Sequence, residues 1–431
     1  MRPHQSACQP KHRPLWAVIL VALLLSSGGC ASNNPAVYKI KVDYTVHDPQ
    51  FAQVMGNLLG PPLVPGNACT TLLNGDEIFP AMLGAIRSAQ KTITFETYIY
   101  WSGAIGREFT DVLSERARAG VKVHVMLDWL GSGRINHEFL KTMTEAGVEV
   151  CEYHPFHPWD PATYRQINNR THRKLLIVDG KIGFTGGVGI ADEWDGHAQD
   201  PNHWRDNHYC IEGPIVAQLQ AAFLDNWMKS TGEVLAGEGY FPPLPNDGKL
   251  RAQVFKSSSN SGSESMELMM LLSIAAAGKN IRMESAYFVP NSLTRDYLLA
   301  ARRRGVSVEI IVPGPTIDEK VVRQASHATW GELLKAGVKI YEYQPTMFHC
   351  KQMIVDSEWV SIGSSNLDNR SFRLNDEANL NVLDAKFAAG QIKVFEDDKR
   401  HSREFTYEMW NHRPLGEKIS EQFASILSWL L

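Results

Sequence analysis

A segment in the first half of the chain returns in the second half, and this repetition restricts the fold more than any other property of the sequence. Arg118-Ala119-Gly120-Val121-Lys122-Val123 is matched by Arg303-Arg304-Gly305-Val306-Ser307-Val308, and Ala146-Gly147-Val148-Glu149-Val150 by Ala336-Gly337-Val338-Lys339-Ile340. The matched glycines are 185 and 190 residues apart, so the copies run in the same order. Each copy reads as a helix stopped by glycine and followed by a β-branched strand, which is the signature of an alternating α/β chain. Upstream, a helix over 82–91 feeds the strand Thr92–Tyr98, and its counterpart over 266–279 feeds Ile281–Tyr287. The Gly- and Pro-rich run 237–248 breaks both patterns and divides the copies. The expected organisation is a targeting segment over 1–29, an extension over 30–66, one lobe over 67–236, a linker region over 237–263 and a second lobe over 264–431. The Ser-rich end of that linker, 257–263, follows a strand-like Gln253-Val254-Phe255 and leads into a helix. A plain flexible connector is the preferred reading, with backbone N–H groups offered to a phosphate as the alternative.

The first residues carry a basic stretch, an apolar run over Leu15–Leu25 and small residues ending at Cys30. That order is a secretory signal, and the run is too short for a comfortable membrane span. Cys30 after small residues resembles a bacterial lipoprotein box, although Ser27 stands where Leu is usual. A lipidated Cys30 is the preferred reading and an uncleaved anchor the alternative; both place the chain in a bacterial cell envelope. Cys8 also lies in this segment, and the remaining four cysteines, Cys69, Cys151, Cys210 and Cys350, show no metal spacing and no disulfide framework. Net charge is −4; loss of Arg2, Lys11 and Arg13 with the leader makes it about −7, which provides no global field for a polyanion. A general nucleic-acid partner is therefore not expected.

Within each copy sits one constellation. The first is Thr171-His172-Arg173-Lys174, with Asp179 and the glycine-rich turn Gly186-Gly187-Val188-Gly189 behind it. The second is Phe348-His349-Cys350-Lys351, with Asp356 and Gly363-Ser364-Ser365-Asn366. On an extended chain residues two apart share a face, so each His projects with its Lys. An imidazole beside an ammonium suits an anionic phosphodiester better than a metal ion, and no metal or other cofactor is expected. One His can attack phosphorus while the other protonates the leaving alkoxide, and the lysines offset charge on the non-bridging oxygens. Asp179 and Asp356 complete the motif, but seven extended residues span roughly 23 Å and end on the opposite face. They read as turn residues that support the site indirectly. Asp206 and Glu377, 34 and 28 residues beyond the His of their own repeat, are the candidates to orient the imidazoles.

This doubled HxK-x4-D-x6-G pattern resembles the phospholipase D superfamily from about Asn67 to the C-terminus. Gly213-Pro214-Ile215-Val216, Ala286-Tyr287-Phe288-Val289-Pro290 and Leu374-Asn375-Asp376-Glu377 resemble its cardiolipin synthase branch. The resemblance implies two fused homologous α/β/α sandwich lobes with one active site at their pseudo-twofold interface. It also implies metal-independent chemistry through a phosphohistidine, with His172 the nucleophile and His349 the acid. Gly187, Ser364 and Asn366 are then candidates to hold the substrate phosphate. Gly189 departs from the pattern, since Asn is usual there and Asn366 stands in the second copy. The activity expected is phosphatidyl transfer on a phospholipid at a membrane surface, with cardiolipin made from phosphatidylglycerol. Hydrolysis to phosphatidic acid and an exported nuclease are the alternatives.

Two apolar features remain. The aromatic, proline-rich insertion Tyr153–Pro161 suits either a packed surface loop or a site rim that dips into a bilayer. Ile419, Phe423, Ile426, Leu427 and Leu430 fall at helical spacing, which predicts a helix whose apolar stripe packs on the core.

Overall fold

The structure, a computed structural model, describes residues 38–258 and 265–426. Cys30, Leu427 and Leu430 lie outside the described residues, as do residues 259–264. Fifteen strands are present among the described residues. The first lobe holds β1 (Val64–Leu73), β2 (Thr92–Thr97), β3 (Lys122–Asp128), β4 (Glu149–Tyr153), β5 (Leu175–Val178), β6 (Ile182–Gly186) and β7 (Asn207–Glu212). The second holds β8 (Leu250–Ser257), β9 (Asn280–Ser285), β10 (Ser307–Pro313), β11 (Lys339–Tyr343), β12 (Lys351–Val355), β13 (Trp359–Gly363), β14 (Glu377–Leu383) and β15 (Ser402–Phe405).

These strands form one sheet in the order β15-β11-β10-β9-β12-β13-β14-β8-β1-β7-β6-β5-β2-β3-β4. Reading outward from the centre, β8-β14-β13-β12-β9-β10-β11 repeats β1-β7-β6-β5-β2-β3-β4 strand for strand, so a pseudo-twofold axis passes between β1 and β8. In each lobe the three outer strands of the copy are parallel and the inner ones antiparallel. Outer strands joined by crossover helices are buried on both faces, which explains the continuous Thr92–Thr97 run, all six residues of it buried. The helix-stop glycines keep their predicted role: Gly120 and its copy Gly305 sit at φ +91° and +89°, where a side chain would be strained.

Side chains alternate between two helical layers, as a period of two requires. Leu176 and Val178 of β5 face the core beneath helices Asn74–Ser88 and Ala104–Arg118. Leu175 and Ile177 face the opposite core, beneath helix Val216–Thr231. This second core runs on through Val254, Ile354, Ile362 and Leu380 of the other lobe, so the lobes share one apolar interior. The α/β/α sandwich expected for each lobe is therefore present, but the sheet is common to both.

Two segments differ from the expected organisation. Residues 250–257, placed within the linker, form β8, paired with β14 on one side and β1 on the other. The strand-like Gln253-Val254-Phe255 lies at its centre, and tertiary pairing extends the strand to Leu250–Ser257 between the flanking Gly, Pro and Ser. The described part of the extension packs on the second lobe: Phe51 meets Trp359 edge-on at 4.9 Å, and Val46 and Met55 join the same core as Met266 and Met283. Residues 39–431 belong to one compact unit.

Candidate active site

His172 and His349 sit in extended approaches just before β5 and β12, and each approach is stitched to the opposite lobe by backbone hydrogen bonds. His172 N donates to Asp376 O and Asp376 N to Arg170 O; likewise His349 N donates to Arg205 O and Arg205 N to Met347 O. These isolated bridges, Thr171 with Asp376 and Phe348 with Arg205, are related by the pseudo-twofold axis. They bring the residue after each bridge partner beside the other lobe's imidazole. Glu377 therefore accepts from His172 Nδ1 at 3.0 Å, and Asp206 from His349 Nδ1 at 2.8 Å. The pairing is crossed between lobes. The expectation of an in-repeat partner for each His is corrected here, because the residues leading into β7 and β14 are bridged to the other lobe, a long-range pairing invisible in local spacing.

A carboxylate on Nδ1 fixes the tautomer and leaves Nε2 as the reactive nitrogen. The lysines complete the set: Lys174 Nζ and Lys351 Nζ each donate to the carbonyl of their own His at 2.7 Å, and Lys351 Nζ lies 3.1 Å from His349 Nδ1. All four side chains are at least nine-tenths buried. Burial lowers the His172 pKa to about 4 against the pull of Glu377, and burial lowers His349 as well. Burial, reinforced by Lys351, lowers Lys174 to about 7, and burial lowers Lys351. Burial pushes the Glu377 carboxyl up, but His172, Lys174 and the Ser364 hydroxyl outweigh it and hold it at about 2. Burial disfavours the charged form of all four groups, so the site gains most from a bound anion.

The remaining candidates divide. Asn366 lines the cavity, and its Oδ1 has no partner within the protein. Ser364 does not serve a ligand phosphate: its Oγ donates to Glu377 Oε2, and Ala378 N donates back to it. Gly187 is small because a Cβ there would stand 2.2 Å from the Asp206 carboxylate. In place of a serine, Asp206 receives Trp194 Nε1 at 3.0 Å and Asn207 N at 2.8 Å. The gap at Gly189 is filled by its neighbours, since a Cβ there would meet Ile99 at 2.8 Å and the Trp194 ring at 3.1 Å. Asp179 and Asp356 stand at the far ends of the β5–β6 and β12–β13 hairpins, with φ +52° and +50°. Asp179 accepts the N–H groups of Gln90, Lys91 and Thr92; Asp356 accepts those of Gly278, Lys279 and Asn280. Both latch the hairpin to the start of β2 or β9, and neither lines the cavity, so they do not belong among the catalytic side chains.

His172 and His349 open onto a cavity of ≈ 640 Å³. Its walls are unlike. Trp194 and Trp204 pack around His349 with ring centres 5.3 and 5.5 Å away, whereas the second lobe presents Asn366 and Asn375 at the matched positions 189 and 204. Sequence reasoning missed the two tryptophans, Tyr98 (5.3 Å from the His172 ring) and the buried arginines. Arg173 reaches Ala222 O, Ser257 O and Asp225; Arg205 pairs with Asp398 at 2.7 Å. A guanidinium between two catalytic positions of an apolar run was the available signal. Two groups of side chains among the described residues have metal-like proximity, His124-Glu149-Glu233 and Glu284-Cys350-Asp398. None of these residues lines the cavity.

A family described as "Cardiolipin synthase, PLD-like domain" matches residues 82–227 and 270–399, one match per lobe. The chain belongs to the cardiolipin synthase family of phospholipase D-like enzymes. Relatives in this family include cardiolipin synthase 1 of Bacillus anthracis, 34% identical over 91% of this chain and 78% of that protein. Cardiolipin synthase of Geobacillus kaustophilus is 35% identical over 84% of this chain and 72% of that protein. Among solved structures, phosphatidylserine synthase of Haemophilus influenzae aligns with a TM-score of 0.69 at 16% identity, covering 89% of this chain and 99% of that one. The family's doubled catalytic motif thus coincides with the one cavity onto which both imidazoles open.

Proposed function

We propose that this cardiolipin synthase-family enzyme transfers a phosphatidyl group between alcohols, forming cardiolipin from two molecules of phosphatidylglycerol. The observation that carries the reading is the crossed pair of imidazole–carboxylate couples, His172–Glu377 and His349–Asp206, on one cavity with Lys174 and Lys351. His172 Nε2 attacks phosphorus, the bond to the leaving glycerol oxygen breaks, and His349 gives that oxygen its proton. The lysines and the Asn366 amide offset charge on the non-bridging oxygens. In the second half His349 takes the proton of the acceptor hydroxyl, whose oxygen attacks phosphorus and releases His172. A phosphodiester entering the cavity raises the imidazole pKa values, which supplies the protonated acid that the empty site lacks. The order of the two histidines follows the resemblance and is part of the proposal. We further propose export and anchoring at the cell envelope through Cys30; no helix among the described residues is long and apolar enough to cross a membrane.

The test is incubation of the purified protein with labelled phosphatidylglycerol, resolving cardiolipin from phosphatidic acid. Cardiolipin lost in His172→Ala and in His349→Ala is the expected result. Phosphatidic acid alone would replace transfer by hydrolysis, and DNA cleavage without either lipid product would overturn the proposal.

A further inference from the structure

The helix Leu415–Ile426 does not bury the apolar stripe predicted to pack on the core. Leu415, Ile419, Phe423 and Ile426 are 77%, 58%, 69% and 63% exposed. The opposite face holds the helix in place. Glu421, 4% exposed, is gripped by Arg413 at 2.7 Å, and Ala424 packs against Val322 and Val289. Val322 in turn lines the catalytic cavity. The helix is therefore seated one residue away from the second-lobe wall of the site, with its apolar stripe turned outward.

The first-lobe wall carries a matching surface. Leu130 lines the cavity and is still 51% exposed. Its neighbour Trp129 packs on Phe156 of the aromatic insertion, which presents Trp159 at 81% exposure. Exposed apolar surface thus lies beside one cavity on both lobes, and such surface marks interaction sites.

We propose that the helix Leu415–Ile426 and the Leu130–Trp159 surface seat the enzyme on a phospholipid bilayer, with the helix lying in the interface plane. This rests on the proposed phospholipid substrate. A cavity of ≈ 640 Å³ is of a size for a headgroup, phosphate and glycerol, not for two acyl chains as well. Every methylene drawn from lipid into water is unfavourable, so the chains remain in the bilayer while the phosphodiester reaches the histidines. The mouth must then meet the membrane, and the two apolar surfaces are where it does. Helices with one apolar face and an aromatic residue at the headgroup level have the chemistry of interfacial elements.

The experiment uses the full chain, vesicles of phosphatidylglycerol and phosphatidylethanolamine, and dispersed dihexanoyl-phosphatidylglycerol as a monomeric substrate. In Ile419→Ser/Phe423→Ser, turnover on vesicles falls roughly tenfold or more, while turnover of the monomeric lipid and the Tm stay unchanged. Ile419→Leu/Phe423→Trp retains vesicle turnover. Amide exchange over 415–426 slows in the wild type when vesicles are added. Equal vesicle turnover in wild type and the Ser variant, or no vesicle-dependent slowing over this helix, overturns the proposal. Slowing that follows protein concentration without vesicles also overturns it, in favour of a second copy of the chain. If the wild type turns over neither lipid yet vesicles still slow exchange over 415–426, the catalytic reading fails and the docking stands.

Discussion

Replacing Asp356 separates the motif's structural part from its chemical part. Its carboxylate, 5% exposed, accepts three backbone N–H groups, from Gly278 and Lys279 at 2.7 Å and from Asn280 at 2.9 Å. A hydrogen bond to a charged acceptor contributes about 1.5–3 kcal/mol, and donors left unpaired in a buried place cost a similar amount each. Part of this loop is reachable by water, and one carboxylate cannot give three bonds their full independent value. Asp356→Ala should therefore destabilise by about 3–5 kcal/mol, including the strain of alanine at φ +50°. With Tm moving about 2–4 °C per kcal/mol in larger domains, the melt should fall by roughly 6–20 °C. Asp356→Asn keeps one oxygen and tolerates the backbone angle, so it should lose about half as much. The assay pairs a circular-dichroism melt with turnover of labelled phosphatidylglycerol at a temperature where both variants are folded. Turnover within about threefold of wild type is expected, because Asp356 acts on β9 and not on the cavity. An unchanged melt with activity lost as completely as in His349→Ala would refute the argument.

Glu377→Gln should cut turnover by about 10²–10⁴-fold, as loss of an orienting carboxylate does in triad enzymes. It should also perturb the NMR titration of His172 and leave that of His349 nearly untouched, which an in-repeat pairing would reverse. The pH profile of kcat/KM should be bell-shaped. His172 becomes a free nucleophile as pH rises through about 4, and Lys174 loses its proton as pH rises through about 7. Lys174→Arg should remove the Lys174 contribution to that alkaline limb, since a guanidinium stays charged, and leave the part that comes from loss of the His349 proton. Gly189→Asn should not restore a missing phosphate contact. Its side chain displaces Ile99 and Trp194, which costs about 1–3 kcal/mol of overpacking and disturbs the Asp206 bond, so both the melt and turnover fall.

The duplication, the helix–strand alternation and the four His and Lys positions were legible because each rests on short-range periodicity or exact spacing. Asp206 and Glu377 were legible as residue types, yet their crossing was not. It depends on β1 and β8 meeting at the centre of the sheet, a contact between residues almost two hundred positions apart. Of β8 only Gln253-Val254-Phe255 was legible as a strand: Arg251 and Lys256 dilute the apolar pattern of the rest, and pairing with β14 and β1 extends it to Leu250–Ser257. Ser364 and Gly189 were misread as gains and losses of phosphate contacts. Their meaning lies in what fills the adjacent space, Glu377 in one lobe and Trp194 in the other, and spacing carries no information about volume. The stripe at 415–426 had the right period, but a period says only that one face is apolar and not what covers it.

The packing of residues near Val46–Met55 against Trp359 and Met283 has a consequence for how the chain is made. A ribosome finishes these early residues some three hundred positions before their contacts exist. The first half can condense while it is synthesised, but its leading segment has nowhere to dock until the last third has emerged. The finished order is thus reached only once the earliest and the late parts of the polypeptide are present together. The leading segment therefore stays undocked for most of the synthesis, whatever the first half has already formed.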